Sequence, residues 1–234
     1  MSYQLEFRPV LARISELLYA LLVSVEITVA AAIVGFILGI ICAAIHFSKF
    51  KPVIVLVNVY VEIIRNTPFL IQLFIFYFGF AAIGFRLSAF TSAFLALAFN
   101  LAAYSTEIIR AGVESINEGQ IEAGFSLGMS RRQIFIDVVL VPALRNVYPV
   151  LSSQFILMFL GSSICSAISA PELTAVSAQI GSDTFKYFEV YIVVTLLYLF
   201  AALIMQVILS LVGHYVFESS KERGTGRFKT IVAP

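Results

Sequence analysis

Residues 27–45 read ITVAAAIVGFILGIICAAI, nineteen positions without a charged side chain. A helix needs about 20 apolar residues to cross the hydrocarbon of a bilayer, so this stretch is long enough to span one. It extends back to about Leu17 if Glu26 is admitted to the helix. A secretory h-region is only roughly 7–15 residues long and follows a positive flank. Glu6 and Glu16 spoil such a flank, so a retained first helix is expected. Four more charge-free stretches follow at 66–85, 87–106, 146–171 and 190–217. Residues 53–61 are too short to cross alone and are expected to lead into the second span. The fold class expected is an all-α integral membrane protein with about five transmembrane helices.

Composition supports this. Apolar residues make up 60% of the 234-residue chain and charged residues 12%, where soluble domains average roughly 45–50% and 25%. A water-soluble fold of this size cannot hide that much apolar surface. The same figures exclude disordered, collagenous and disulfide-scaffold classes. The net charge of +1 comes without a basic stripe, so no nucleic-acid partner is expected. Cys42 and Cys165 lie inside apolar runs, with no CxxC and no His/Cys cluster, and read as packing residues rather than metal ligands.

Charge distribution sets an orientation. With the N-terminus outside, eleven Lys and Arg residues fall on the inner side, among them Lys49, Arg65, Arg110, Arg131, Arg132 and Arg145. Four fall outside: Arg8, Arg13, Arg86 and Lys186. The positive-inside rule then predicts N-terminus out and C-terminus in. Residues 1–16 form an external segment, 17–217 the transmembrane domain and 218–234 a cytoplasmic tail. Gly35 and Gly39 form a GxxxG on the first helix, either a close helix seam or a chance spacing of common residues. Pro68 opens the second span, with Asn66 and Thr67 placed to cap its free N–H groups.

The longest polar interruption runs from about Glu107 to Arg145. Glu114, Glu118 and Glu122 recur every four residues, which predicts one shared helical face. Ile121, Phe125 and Met129 also repeat by four, on another face, and Gly128 breaks the run. Ser130 followed by Gln133 is a capping-box pattern, Ile134, Phe135 and Val138 give the next helix an apolar side, and Pro142 is expected to end it. Two short amphipathic helices joined at a glycine suit docking to a cytoplasmic partner. Stacked glutamates disfavour the alternative, a helix pair lying on anionic lipid.

These residues resemble a known family. Glu122-Ala123-Gly124, three residues, Gly128 and a downstream Pro142 resemble the EAA loop of ABC importer permeases, with Gly124 in place of the second alanine. Arg65-Asn66-Thr67-Pro68 with Gln72, Phe76, Tyr77 and Gly79 is similar to the Arg-x-Thr-Pro segment of the polar amino-acid (or opine) permeases. Ala103-Tyr104, Glu107-Ile108, Arg110-Ala111-Gly112 and Gly119-Gln120 extend the likeness, which covers about residues 17–217.

The resemblance implies a type I importer permease in a bacterial cytoplasmic membrane. It passes a polar amino acid from an extracytoplasmic solute-binding protein inward, beside a second permease, identical or homologous. A cytoplasmic ABC ATPase dimer drives it. ATP and Mg belong to that ATPase; no phosphate-binding loop occurs here, so no cofactor and no enzymatic activity are expected of this chain. The coupling loop, about 112–145, is expected to engage the ATPase. Glu122 would pair with it, Ala123 and Gly124 would keep the helix slim enough to seat in a groove, Gly128 would permit the turn, and Arg131 would open the second helix. Asn100 and Tyr104, one turn apart, are expected on the substrate path, or Asn100 forms an interhelical hydrogen bond. Gly161, Ser162 and Ser163 are expected either to unwind and present carbonyls to cargo or to pack as a small-residue seam. Gly161 stands where many relatives carry an acid. Rival readings are an opine- or ectoine-type cargo, a secondary transporter, which would show inverted repeats, and a membrane enzyme, for which His46 and His214 near span ends offer no constellation.

Overall fold

The computed structural model describes residues 4–46 and 50–218, and these are helical throughout their ordered elements, without a strand. Lys49 and the tail from residue 219 onward lie outside the described residues. Four helices are long and apolar enough to cross a membrane: α2 (Ile14–His46), α5 (Ala89–Glu114), α7 (Arg131–Ile168) and α9 (Tyr187–Val216). A fifth candidate span is the pair α3 (Lys51–Arg65) and α4 (Phe69–Ala82), bent by 110° at the break between them. Short helices α1 (Arg8–Leu11), α6 (Glu118–Ser126) and α8 (Leu173–Thr184) complete the chain.

The first span is longer than the charge-free run suggests. At 1.5 Å per residue α2 is about 50 Å long, and Glu26 sits on its exposed side. Leu17, Ala20, Ser24, Ile27, Ala31, Gly35 and Gly39 are buried and recur every three or four residues, so they form one face. That face meets α5. A Cβ at Gly35 would lie 2.9 Å from the Ala98 carbonyl oxygen, and one at Gly39 would lie 2.6 Å from Ser105 Cβ. The GxxxG is therefore a close packing seam.

The break between α3 and α4 has a local cause. A residue before proline is pushed out of the helical region, so Thr67 cannot continue α3 into Pro68. Asn66 and Thr67 do not cap the N–H groups of α4, contrary to the expectation. Asn66 Nδ2 donates to the Glu62 carbonyl and Thr67 Oγ1 to the Ile63 carbonyl. Both side chains close the carbonyl end of α3, where the bend strands acceptors. Gln72, 4% exposed, adds bonds from Nε2 to the carbonyls of Ile64 and Thr67. Every one of these acceptors would otherwise be costly in a water-poor environment.

Two expectations about the polar segment are corrected. Glu114, Glu118 and Glu122 do not share a helix: α5 ends at Glu114, and Asn117 starts α6 by accepting from the Gly119 N–H. Pro142 does not end the second helix, which runs on to Ile168. A π-helical turn at Ile134–Leu140 directly precedes Pro142. That widened turn makes room for a residue that lacks an N–H and crowds the previous turn. The helix then overwinds to a 3₁₀ segment at Ser162–Ile168.

The described residues divide into two compact units, one within 4–107 with 154–202 and the other within 108–153 with 203–218. In the first, Val10, Leu17 and Ala20 pack with Leu173, Ile180, Val190 and Val194. Arg13 binds Asp183 at 2.7 Å and Lys186 approaches Glu6 at 3.3 Å, tying the N-terminal segment to the α8–α9 corner. In the second, Val113, Val139 and Ala143 form a small core with Ile116 and Ile121. Tyr148 donates to the Leu209 carbonyl there.

Candidate functional site

The polar segment builds a rigid knob in the second unit. α6 ends in a Schellman motif around Gly128, whose φ is +75°. Met129 N–H donates to the Gly124 carbonyl and Gly128 N–H to the Phe125 carbonyl, so the last turn is closed. Ser130 and Gln133 form the capping box, each side chain accepting from the other's backbone N–H. The two helices are thus fixed by backbone chemistry at their joint.

The surfaces of this knob separate by role. Glu118, Glu122 and Ala123 are exposed. Gly124 is buried: a Cβ there would lie 3.1 Å from Ile134 Cγ1, so its missing side chain lets α6 sit on the start of α7. Of the two small residues, Ala123 alone is on the outward side. Ile121 packs inward on the Val113–Val139–Ala143 core. Phe125 and Leu127 stand out at 53% and 81% exposure. Arg131 and Arg132 are exposed in the first turn of α7, where a cation opposes the helix dipole. The knob thus exposes an apolar pair flanked by two acids and two arginines that oppose the dipole of their helix.

In the first unit the structure joins the two motifs read from sequence. Asn100 Nδ2 donates to Gln72 Oε1 at 2.9 Å, and Gln72 in turn holds the α3–α4 bend. The interhelical hydrogen bond is therefore present. The Arg65 guanidinium lies over the Tyr104 ring at 5.7 Å and 3.8 Å from Glu107. Asn100, Tyr104, Arg65 and the bend form one polar stripe along α5.

The 3₁₀ segment packs against the first turns of α4. It does not unwind. Ser162, Ser163 and Ser166 each donate to the carbonyl three residues back, and Ser162 is fully buried. Gly161 is not a packing glycine: a Cβ there would meet nothing within 4 Å. Gly161 faces open space, Ser163 is half-buried, and Ser162 is buried.

Sequence reasoning missed a buried polar cluster beyond Pro171. Glu172, 1% exposed, caps α8 by accepting from the N–H groups of Thr174 and Ala175. Tyr198 Oη also donates to it, at 2.9 Å, and Tyr198 and Thr174 are hydrogen-bonded at 3.0 Å. Leu173 N–H donates to Ser24 Oγ. Burial pushes the Glu172 carboxyl above its ordinary value, and the Thr174, Tyr198 and Ala175 donors oppose that push. An acid just after proline and just before an apolar helix was the available signal. Among the described residues no group of His, Cys, Asp and Glu is placed to hold a metal.

Residues 35–217 match the family described as binding-protein-dependent transport system inner membrane component. The chain is similar to the arginine transport system permease protein ArtQ of Bacillus subtilis, 35% identical over 86% of this chain and 92% of that protein. It is 36% identical to the probable glutamine ABC transporter permease protein GlnM of the same organism, over 70% of this chain and 76% of the relative. A solved amino-acid ABC transporter crystallised with histidines contains a chain that superposes with a TM-score of 0.85 at 34% identity, covering 92% of this chain and 100% of that one.

Proposed function

The chain belongs to the binding-protein-dependent transport system inner membrane components, and on that premise we propose how it works. It is the membrane-spanning permease of an ATP-driven importer that passes a polar amino acid from a solute-binding protein into the cytoplasm. The N-terminus faces the binding protein and α6 faces the cytoplasm, in keeping with the positive-inside count. A second permease, identical or homologous, completes the pathway. Catalysis of ATP hydrolysis, with its Mg, belongs to the separate ATPase.

The observation that carries this reading is the α6 knob. Glu122, Phe125 and Leu127 are exposed on a helix whose two ends are locked by caps. A partner that moves the knob moves it as a body, because Ile121 and Gly124 seat it on Val139, Ala143 and Ile134. Glu122 offers the partner a charge, Ala123 a close approach, and Arg131 a second charge of opposite sign. Cargo passes the polar stripe of Asn100 and Tyr104, the open side of Gly161, and Ser163.

The test is uptake of labelled amino acids into vesicles carrying the whole transporter. Glu122→Lys is expected to abolish uptake while the complex remains in the membrane. Normal uptake by that variant overturns the coupling role.

A further inference from the structure

A half-open pocket of about 510 Å³ lies at the surface of the first unit, a volume within the roughly 300–1,000 Å³ of small-molecule sites. Its polar lining comes from Ser166 and Ser169 of the 3₁₀ turn, Thr174 and Gln179 of α8, and Tyr191 of α9. The other lining residues are alanines, a valine and a proline, so no charged side chain lines it. Ser166 spends its proton on the Ser163 carbonyl, which leaves its oxygen lone pairs as acceptors. Gln179, Ser169 and Tyr191 are exposed and supply donors and acceptors of their own.

The wall is fixed from behind in a way that withholds charge. A helix N-terminus normally offers free N–H groups to an anion. Here those of Leu173, Thr174 and Ala175 are already spent on Ser24 and Glu172. Glu172 is buried, its oxygens are held by those amides and Tyr198, and it is not a lining residue, so it makes no direct contact with an occupant. The ammonium and carboxylate of a zwitterion compensate each other and take neutral hydrogen bonds. A third charge on the cargo side chain would find no partner, which is costly.

We propose that this cavity is a transit subsite for a neutral, polar α-amino acid, held by the hydroxyl and amide groups of Ser166, Ser169, Gln179 and Tyr191. It lies apart from the Asn100–Tyr104 stripe and rests on the importer reading above. Glu172, Tyr198 and Ser24 keep its α8 wall in place.

The test is ligand protection of Ala178→Cys, an exposed lining position that is none of the four binding groups, in a Cys42→Ser background, in vesicles carrying the assembled transporter. Cys165 is fully buried and stays. Modification by N-ethylmaleimide is followed by mass. A mixture of L-glutamine, L-asparagine and L-serine is expected to slow it several-fold, and L-arginine or L-glutamate to leave it unchanged. Phe185→Cys, at a position 83% exposed and outside the lining, is expected to show no protection. Adding Tyr191→Phe is expected to raise the half-protecting concentration about two- to tenfold, as for one lost neutral hydrogen bond. Equal modification with and without the neutral mixture, in vesicles that still take up amino acid, overturns the subsite. Equal protection by charged amino acids overturns the cargo class. Vesicles of the unaltered transporter that take up no amino acid on ATP addition overturn the importer reading instead.

Discussion

Gly128 shows how a single residue fixes the geometry of the knob. Its φ of +75° closes the Schellman motif, a conformation L side chains adopt at a cost. Gly128→Ala is expected to lower stability by about 1 kcal/mol, read as a lower melting midpoint of the purified complex. Gly39 is fixed for a different reason, contact rather than conformation. Gly39→Val puts side-chain atoms into Ser105 and is expected to destabilise by about 1–3 kcal/mol. Glu172 supplies a test in pH. Its folded value is raised, so the folded protein binds more protons than the unfolded one between the ordinary glutamate value of about 4.3 and the raised value. Through that window this residue's contribution to stability falls as pH rises. Melting measured across pH should slope downward there, and Glu172→Gln should flatten the slope; an unchanged slope would contradict the assignment.

At the scale of elements, the α3–α4 bend depends on one buried amide. Gln72 satisfies two carbonyls freed by Pro68 and binds Asn100 across to α5. Gln72→Leu strands those acceptors and is expected to cost about 1–3 kcal/mol, seen as a lower melting midpoint, with Asn100→Ala costing less. What was legible in sequence followed from local chemistry. The Ser130–Gln133 capping box and the Gly128 turn are each encoded by residues within a few positions of one another, whereas the Gly35–Gly39 spacing left seam and chance open until Ala98 and Ser105 were found against it. Pro142 was misread because its tolerance depends on a π turn that no local pattern marks. The three glutamates were misread because spacing by four looks the same across a helix break, and only Asn117 signals the new start. Glu172 was missed because Tyr198, which donates to it, and Ser24, which holds the N–H of the next residue, lie far away in the chain.

Across the whole molecule, the apolar content is spent outward. α9 is the most apolar span, with mean hydropathy 2.7, yet only 6% of its most apolar stretch is buried within the chain. Such a helix needs lipid or another protein chain around it. The α6 knob differs, presenting Phe125 and Leu127 among charged side chains. The central claim is that this knob receives the ATPase. The most direct measurement places a photo-crosslinking residue at Leu127, the most exposed position of the knob, in the native membrane. Illumination is expected to give one adduct whose second component is an ATPase with a phosphate-binding loop, and Glu122→Lys is expected to abolish it. An adduct with lipid only, or with no ATPase, would contradict the account.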